Sequence, residues 1–204
     1  YSPRILIYKN PSPDFSEPIL VGNLSLPYSG PNSPYCFADF DDDNELEVAY
    51  LAGPYNSSTG LWDCQIWVYD VNWTSFELID RIYSTPILAS YNYFPVNGEM
   101  KCVDIDSDGD IDMYMVTRDR KFHFIKNNGG TFSISLLDSG PLYYGIDIDF
   151  FNDDGYLDAV TVQYDDEYRI YLGNGTELLT LSEIGPSVHG GYEDVVIGDF
   201  RTFH

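Results

Sequence analysis

The sequence predicts an all-β chain of propeller blades: four-stranded antiparallel units with calcium-binding loops, three complete and a partial one at each end. Three observations predict this. An acid-rich loop recurs as Asp39-Phe-Asp-Asp-Asp-Asn-Glu-Leu-Glu47, Asp104-Ile-Asp-Ser-Asp-Gly-Asp-Ile-Asp112 and Asp149-Phe-Phe-Asn-Asp-Asp-Gly-Tyr-Leu-Asp158. The loops start 65 and 45 residues apart, a spacing suited to repeated supersecondary units. Around each loop the same order of short apolar runs recurs, with Asn-Gly turns at 128–129 and 174–175 and no helical periodicity.

Taken in order, residues 1–26 supply strands at 5–8 and 19–24, which match the third and fourth strands of a blade whose first two are missing. A whole blade follows over 34–88, with its second strand at 46–51 and its third at 66–69. Between those strands, residues 53–63 are rich in Gly, Asn and Ser and read as a projecting loop. The blade at 99–138 places its second strand at 111–117, its third at 122–125 and its fourth at 131–137. The blade at 144–184 places them at 157–162, 168–171 and 177–181. Residues 192–204 begin a further blade with a first strand at 195–200. Four antiparallel strands per unit is the blade pattern of a propeller.

The loops carry the chemistry. Carboxylates on alternate positions repel one another unless a hard cation sits between them, and an oxygen-only donor set suits Ca²⁺. Asn44, Gly109 and Gly155 follow the third acid, where a sharp turn needs a left-handed backbone. Glu45, Asp110 and Tyr156 come next and share no side-chain chemistry, as expected where a backbone carbonyl faces the metal. Phe40, Ile105 and Phe150 at the start, with Leu46, Ile111 and Leu157 near the end, are expected to pin each loop to a core. Glu47, Asp112 and Asp158 close the shell. The alternative reading is an Asp-rich surface turn without metal. An EF-hand loop opens similarly but ends in Glu at its twelfth position between helices; here the twelfth position of the second loop is Met115, in a strand-like run. One extra residue in the third loop puts Phe150 where an acid belongs, so Asp149 must reach across a bulge at Phe151.

Bulk properties narrow the function. The net charge of −23 leaves no basic stripe for phosphates, which argues against nucleic acid. Of the 33 acids, 15 lie in the three loops, so cation binding accounts for much of the imbalance. No run is long enough to span a membrane, and the chain opens on a strand rather than a signal peptide, as a mature or excised segment does. Sequons at Asn23, Asn56, Asn72 and Asn174, together with loops suited to extracellular calcium, point to an extracellular or cell-surface glycoprotein. Asn56, in the long insertion, is the sequon expected to be most exposed. Among Cys36, Cys64 and Cys102 at most one disulfide can form, with Cys36–Cys64 the expected pair and three buried thiols the alternative.

The pattern resembles the FG-GAP and VCBS repeats of integrin α-subunit propellers and of many secreted proteins. The nearest stretch is 39–54, where the acid loop runs into Val48-Ala-Tyr-Leu-Ala-Gly-Pro54. The resemblance implies Ca²⁺ on one rim of a propeller that recognises proteins or glycans or serves as a scaffold. It also implies side-chain ligands: Asp39, Asp41, Asp43 and Glu47; Asp104, Asp106, Asp108 and Asp112; and Asp149, Asn152, Asp154 and Asp158. The chain departs from the pattern at Asn44 (usually Gly), at Glu47 (usually Asp), in the extra Phe of the third loop and at Asp199, whose loop keeps only its first acid. Such propellers commonly close with seven blades, so the open ends would be completed by more of the same polypeptide or by neighbouring copies.

No catalytic constellation is legible. His123 sits in a strand, His189 in a Gly-rich turn and His204 at the terminus. No nucleophile elbow, phosphate-cradling loop or zinc spacing occurs. Three functions therefore compete: a non-enzymatic adhesion or recognition module presenting tyrosines such as Tyr91, Tyr93, Tyr143 and Tyr144 to a protein or glycan; a glycosylated structural subunit of an extracellular filament or matrix; and part of a secreted carbohydrate-active enzyme.

Overall fold

The computed structural model describes residues 4–9, 19–30, 33–85, 89–91, 98–117, 120–140, 143–163, 167–176 and 179–185. The chain is all-β. Strands β1 (Arg4–Lys9) and β2 (Ile19–Ser25) pair into a two-stranded sheet. The next sheet is built on β3 (Tyr35–Ala38), β4 (Glu47–Ala52), β6 (Leu61–Asn72) and β7 (Glu77–Ser84), joined by the short strands β5 (Tyr55–Asn56) and β8 (Ala89–Tyr91). Two four-stranded sheets follow. One runs in order through β9 (Gly98–Val103), β10 (Asp112–Thr117), β11 (Lys121–Asn128) and β12 (Thr131–Ser139). The other runs through β13 (Tyr143–Asp149), β14 (Asp158–Gln163), β15 (Tyr168–Leu172) and β16 (Thr180–Ile184). The pairings within these sheets are antiparallel, and β3, β9 and β13 lie side by side as the neighbouring first strands of three blade-like sheets.

The sheets stack face to face, which explains why second strands read as unbroken apolar runs. Every residue of β4 and of β10 is buried. Side chains alternate between the two faces of a strand, and here each face meets a separate core. Val48, Tyr50 and Ala52 pack with Leu24 and Ile7 of the two-stranded sheet, whereas Ala49 and Leu51 pack with Met113 and Met115. The intervening residues of β10, Tyr114 and Val116, turn the other way onto Ile146, Ala159 and Tyr171. A polar substitution on either face would therefore strand an unpaired group in a core.

Several expectations need correction. Residues 53–63 form a short hairpin rather than a loop without strands: Tyr55 and Asn56 pair with Trp62 and Leu61 across a turn containing Gly60 (φ 74°), and the twelve-residue strand β6 begins within the segment at Leu61. The last strand of the fourth sheet lies at Thr180–Ile184, three residues beyond the expected start. The disulfide joins Cys36 to Cys102, with Cα atoms 6.0 Å apart, and leaves Cys64 a buried thiol. Both partners stand on first strands just ahead of an acid loop, so the bond staples neighbouring sheets; their matching places in the repeat were the signal for it. The further blade at 192–204, with Asp199, His189, His204 and Tyr93, lies outside the described residues, as do the side chains of Tyr91, Tyr143 and Tyr144. His123 is buried within β11.

Candidate metal centre

Each acid loop links the first strand of a sheet to its second, so all three hang from equivalent ends of the stack. In the first, carboxylate oxygens of Asp39, Asp41 and Asp43 all lie within 4.8 Å of one another; in the second, those of Asp104, Asp106 and Asp108 do the same. The backbone brings this about identically in both. Asp42 (φ 62°) and Asn44 (φ 69°) adopt the left-handed conformation, as do Ser107 (φ 59°) and Gly109 (φ 101°) at the matching positions. Alternating left-handed residues curl the loop so that the intervening acids converge. Asn44 serves in place of glycine because a short polar side chain tolerates this region.

Backbone N–H groups fix the rotamers. Asp39 accepts from the N–H of Asp43 (3.2 Å) and Asn44 (2.9 Å), and Asp104 accepts from Asp108 and Gly109, both at 3.1 Å. Asp43 and Asp108 accept from the next-but-one residues, Glu45 (2.8 Å) and Asp110 (3.0 Å). Glu45 is exposed. The Asp110 carboxylate accepts from Gly129 N–H at 2.7 Å, tying the second loop to the β11–β12 turn.

The closing acids differ from the rest in being buried. Glu47 accepts from Phe40 N–H at 2.6 Å, Asp112 from Asn127 N–H at 2.9 Å, and Asp158 from Gly173 N–H at 2.8 Å. The second oxygen of Asp158 accepts from Phe151 N–H (2.9 Å) and Asn152 N–H (3.3 Å). At Asp112, by contrast, Oδ2 is buried without a hydrogen-bond partner. A carboxylate oxygen buried beside the charges of Asp106 and Asp108 is a costly arrangement, and a cation among them removes the cost. The donor set fits a hard divalent ion: oxygen only, three converging carboxylates in each of the two loops, and beside the second a buried oxygen otherwise unmatched; Glu47 and Asp112 are not among the acids that converge within 4.8 Å.

Electrostatics point the same way. Burial pushes Asp112 up to about 7, helped by the Asp106 and Asp108 charges and opposed by Asn127 N–H and Lys126. Burial likewise pushes Glu47 up to about 7, with Asp41, Asp43 and Asp39 adding to the shift and Phe40 N–H opposing it. A carboxyl whose folded value lies above its unfolded one stabilises the fold at low pH and loses that contribution as pH rises through the folded value. In chelator, unfolding free energy should therefore fall between about pH 4 and pH 7, the interval from the ordinary carboxyl range to the shifted values. Added calcium, which binds the ionised forms, should flatten or reverse that slope. Denaturant titrations at pH 5 and pH 8, each with and without chelator, read this directly.

The third loop departs from the other two. Gly155 keeps the left-handed backbone (φ 83°), but Asp153 lacks it, and among the described residues no three acids converge there. Asp149 accepts from its neighbour Phe150 N–H (2.8 Å), Asn152 from Asp154 N–H (2.9 Å), and Asp154 from Tyr156 N–H (2.9 Å). The extra residue is accommodated by turning Phe150 and Phe151 outward, 57% and 50% exposed, with Tyr156 also exposed. So Phe150 does not anchor its loop, whereas Phe40 and Ile105 are buried as anchors; at the far end Leu46 is exposed.

One residue that sequence reasoning passed over ties the first two loops together. Asn127, almost wholly buried, donates its backbone N–H to Asp112, donates Nδ2 to Phe40 C=O at 2.8 Å, and accepts from Gly130 N–H at 2.9 Å. Phe40 is the residue whose N–H holds Glu47, so a continuous chain of hydrogen bonds runs between the two closing acids. Asn127→Ala should cost about 1–3 kcal/mol by orphaning a buried carbonyl, measurable by denaturant unfolding.

The sequons sit in different settings. Asn23, Asn72 and Asn174 are exposed. Asn56, expected to be the most accessible, is half-buried and donates Nδ2 to Asp63 at 2.8 Å.

No protein-family model matches the chain. No curated protein matches it either. Among solved structures, one titled "Crystal structure of BBS1N in complex with ARL6DN, soaked with lead" is similar at 15% sequence identity with a TM-score of 0.43, covering 74% of this chain. The match spans 42% of that chain's length.

Proposed function

We propose that the chain is a non-enzymatic, calcium-stabilised β-propeller module of the FG-GAP/VCBS type that acts outside the cell in adhesion or recognition. The observation that carries this reading is the convergence of two Asp triads on equivalent loops of adjacent sheets, each loop ending in a buried acid. In this reading the ligands are Asp39, Asp41, Asp43 and Glu47 in the first site and Asp104, Asp106, Asp108 and Asp112 in the second. Backbone carbonyls of Glu45 and Asp110 complete them. The third loop, with Asp149, Asn152, Asp154, Tyr156 and Asp158, is a weaker site. Calcium then plays a structural role, holding the rim loops in one conformation so that surfaces beside them keep a fixed shape for a protein or glycan ligand. Calorimetry with CaCl₂ tests the metal reading, which predicts two resolvable sites. Absence of calcium heat in the metal-free chain would reject it.

The Cys36–Cys102 disulfide supports an oxidising compartment. Glycan on Asn23, Asn72 or Asn174 would place the chain in the secretory route, and intact mass before and after glycan removal from natively produced protein decides it. No mass change would count against that placement.

A second reading, as an assembling structural subunit, draws on the two-stranded sheet. Its inner residues Ile5, Ile7 and Leu24 join a core, but Leu6, Tyr8 and Leu20 on the other side are 53%, 53% and 52% exposed. Concentration-dependent light scattering separates the two: growth of oligomers favours assembly, and a monomer at all concentrations favours a self-contained module.

A further inference from the structure

We infer that Lys126 is a built-in competitor for the cation of the second loop, so that the two otherwise similar sites fill at different calcium concentrations. The inference rests on reading the acid triads as calcium sites.

Lys126 stands in β11 with Nζ 2.7 Å from Asp106 Oδ2 and 3.6 Å from Asp108 Oδ2. The Lys126 and Asp106 side chains are each only 12% exposed, so this pair is shielded from the screening that makes surface ion pairs weak. Two of the three triad acids in this loop are therefore already neutralised in part by the chain's own ammonium.

The first loop is built differently. Strand registers align Val48 with Tyr69, Met113 with Ile125 and Ala159 with Tyr171. One residue further along the third strand stand Asp70, Lys126 and Leu172: an acid, a base and an alkyl chain at one repeat position. Among the described residues no ion pair reaches Asp39, Asp41 or Asp43, whose hydrogen-bonded oxygens accept backbone N–H groups. A divalent ion entering the first loop meets unopposed carboxylates. In the second it must displace the ammonium or bind beside a like charge, and either weakens binding. The same ammonium offsets repulsion among Asp104, Asp106 and Asp108 before metal arrives, so the second loop depends less on calcium to hold its shape. The sequence thus specifies one site that is filled at low calcium and a second, lysine-guarded site that responds only when calcium rises.

The test is calcium calorimetry on the full chain, wild type and Lys126→Met, each also carrying Asp41→Asn and Asp43→Asn in the first loop and Asp154→Asn in the third, so that the heat belongs to the second loop. Lys126→Met should tighten that site about tenfold or more, while lowering the melting temperature in chelator; Lys126→Gln repeats the measurement if the methionine variant folds poorly. Lys126→Arg keeps the positive charge and should bind calcium as wild type does. Unchanged or weaker affinity in Lys126→Met and Lys126→Gln overturns the inference. If that happens while Asp104→Asn with Asp108→Asn still abolishes the heat, the calcium reading stands and the lysine's role alone falls. No calcium heat in any variant removes both.

Discussion

Chelating calcium should lower the melting temperature of this chain by on the order of 10 °C, and restoring calcium should recover it. The size follows from linkage. A ligand that binds only the folded state at a hundred times its dissociation constant adds about 2.7 kcal/mol per site, and two sites therefore about 5 kcal/mol. For a chain of this length each kcal/mol moves the midpoint by roughly 2–4 °C. The structural reason is the burial of Glu47 and Asp112 next to triads whose like charges repel one another, a repulsion offset only in part by backbone N–H groups and, in the second loop, by Lys126. Asp108→Ala should lose most of the response of its site, because it removes a converging carboxylate. Asp153→Ala should lose little, because that residue lies off the ligand pattern. Thermal melts of the three proteins in chelator and in calcium check this, and superimposable wild-type curves in the two conditions would sink it.

The fold class was legible because its signals are local. Short apolar runs, Asn-Gly turns and a loop repeated three times each state their structure within about ten residues, and four-stranded antiparallel sheets follow from their order. The continuous burial of 47–52 and 112–117 emerged only from the structure, where stacked sheets cover both faces of each second strand. What escaped depends on contacts between repeats. Asn127 reads as an ordinary turn residue in sequence, and only stacking of the second and third sheets brings it to Phe40, 87 positions away. Lys126 reads as a solvated strand end until the register sets it over Asp106. In the third loop the sequence revealed the extra residue, but not that the backbone would absorb it by exposing two phenylalanines. That solution depends on Asp158 capturing the N–H groups of Phe151 and Asn152, and on the energy of the whole loop rather than on any one residue.

Removing the Cys36–Cys102 bond should destabilise the chain by about 4 kcal/mol, as the chain-entropy argument gives for a closed loop of this size. The sequence separation is 66 residues, long enough that the unbridged denatured chain gains much freedom. The bond crosses the seam between the second and third sheets, where the core also holds Ala49, Leu51, Met113 and Met115. Cys36→Ala with Cys102→Ala should therefore loosen that seam and with it the link from Asn127 to Phe40, so the double variant should also bind calcium more weakly in the first loop. Cys64→Ala is the discriminating control. Its thiol lies buried in the same core, so truncation costs packing but leaves the staple in place, and its effect should be smaller than that of the double variant. Denaturant unfolding of the wild type, the double variant and Cys64→Ala ranks the three. Peptide mapping under non-reducing conditions must recover a fragment linking residues 36 and 102. A linked fragment containing residue 64, or a Cys64→Ala variant as unstable as the double one, would overturn the assignment.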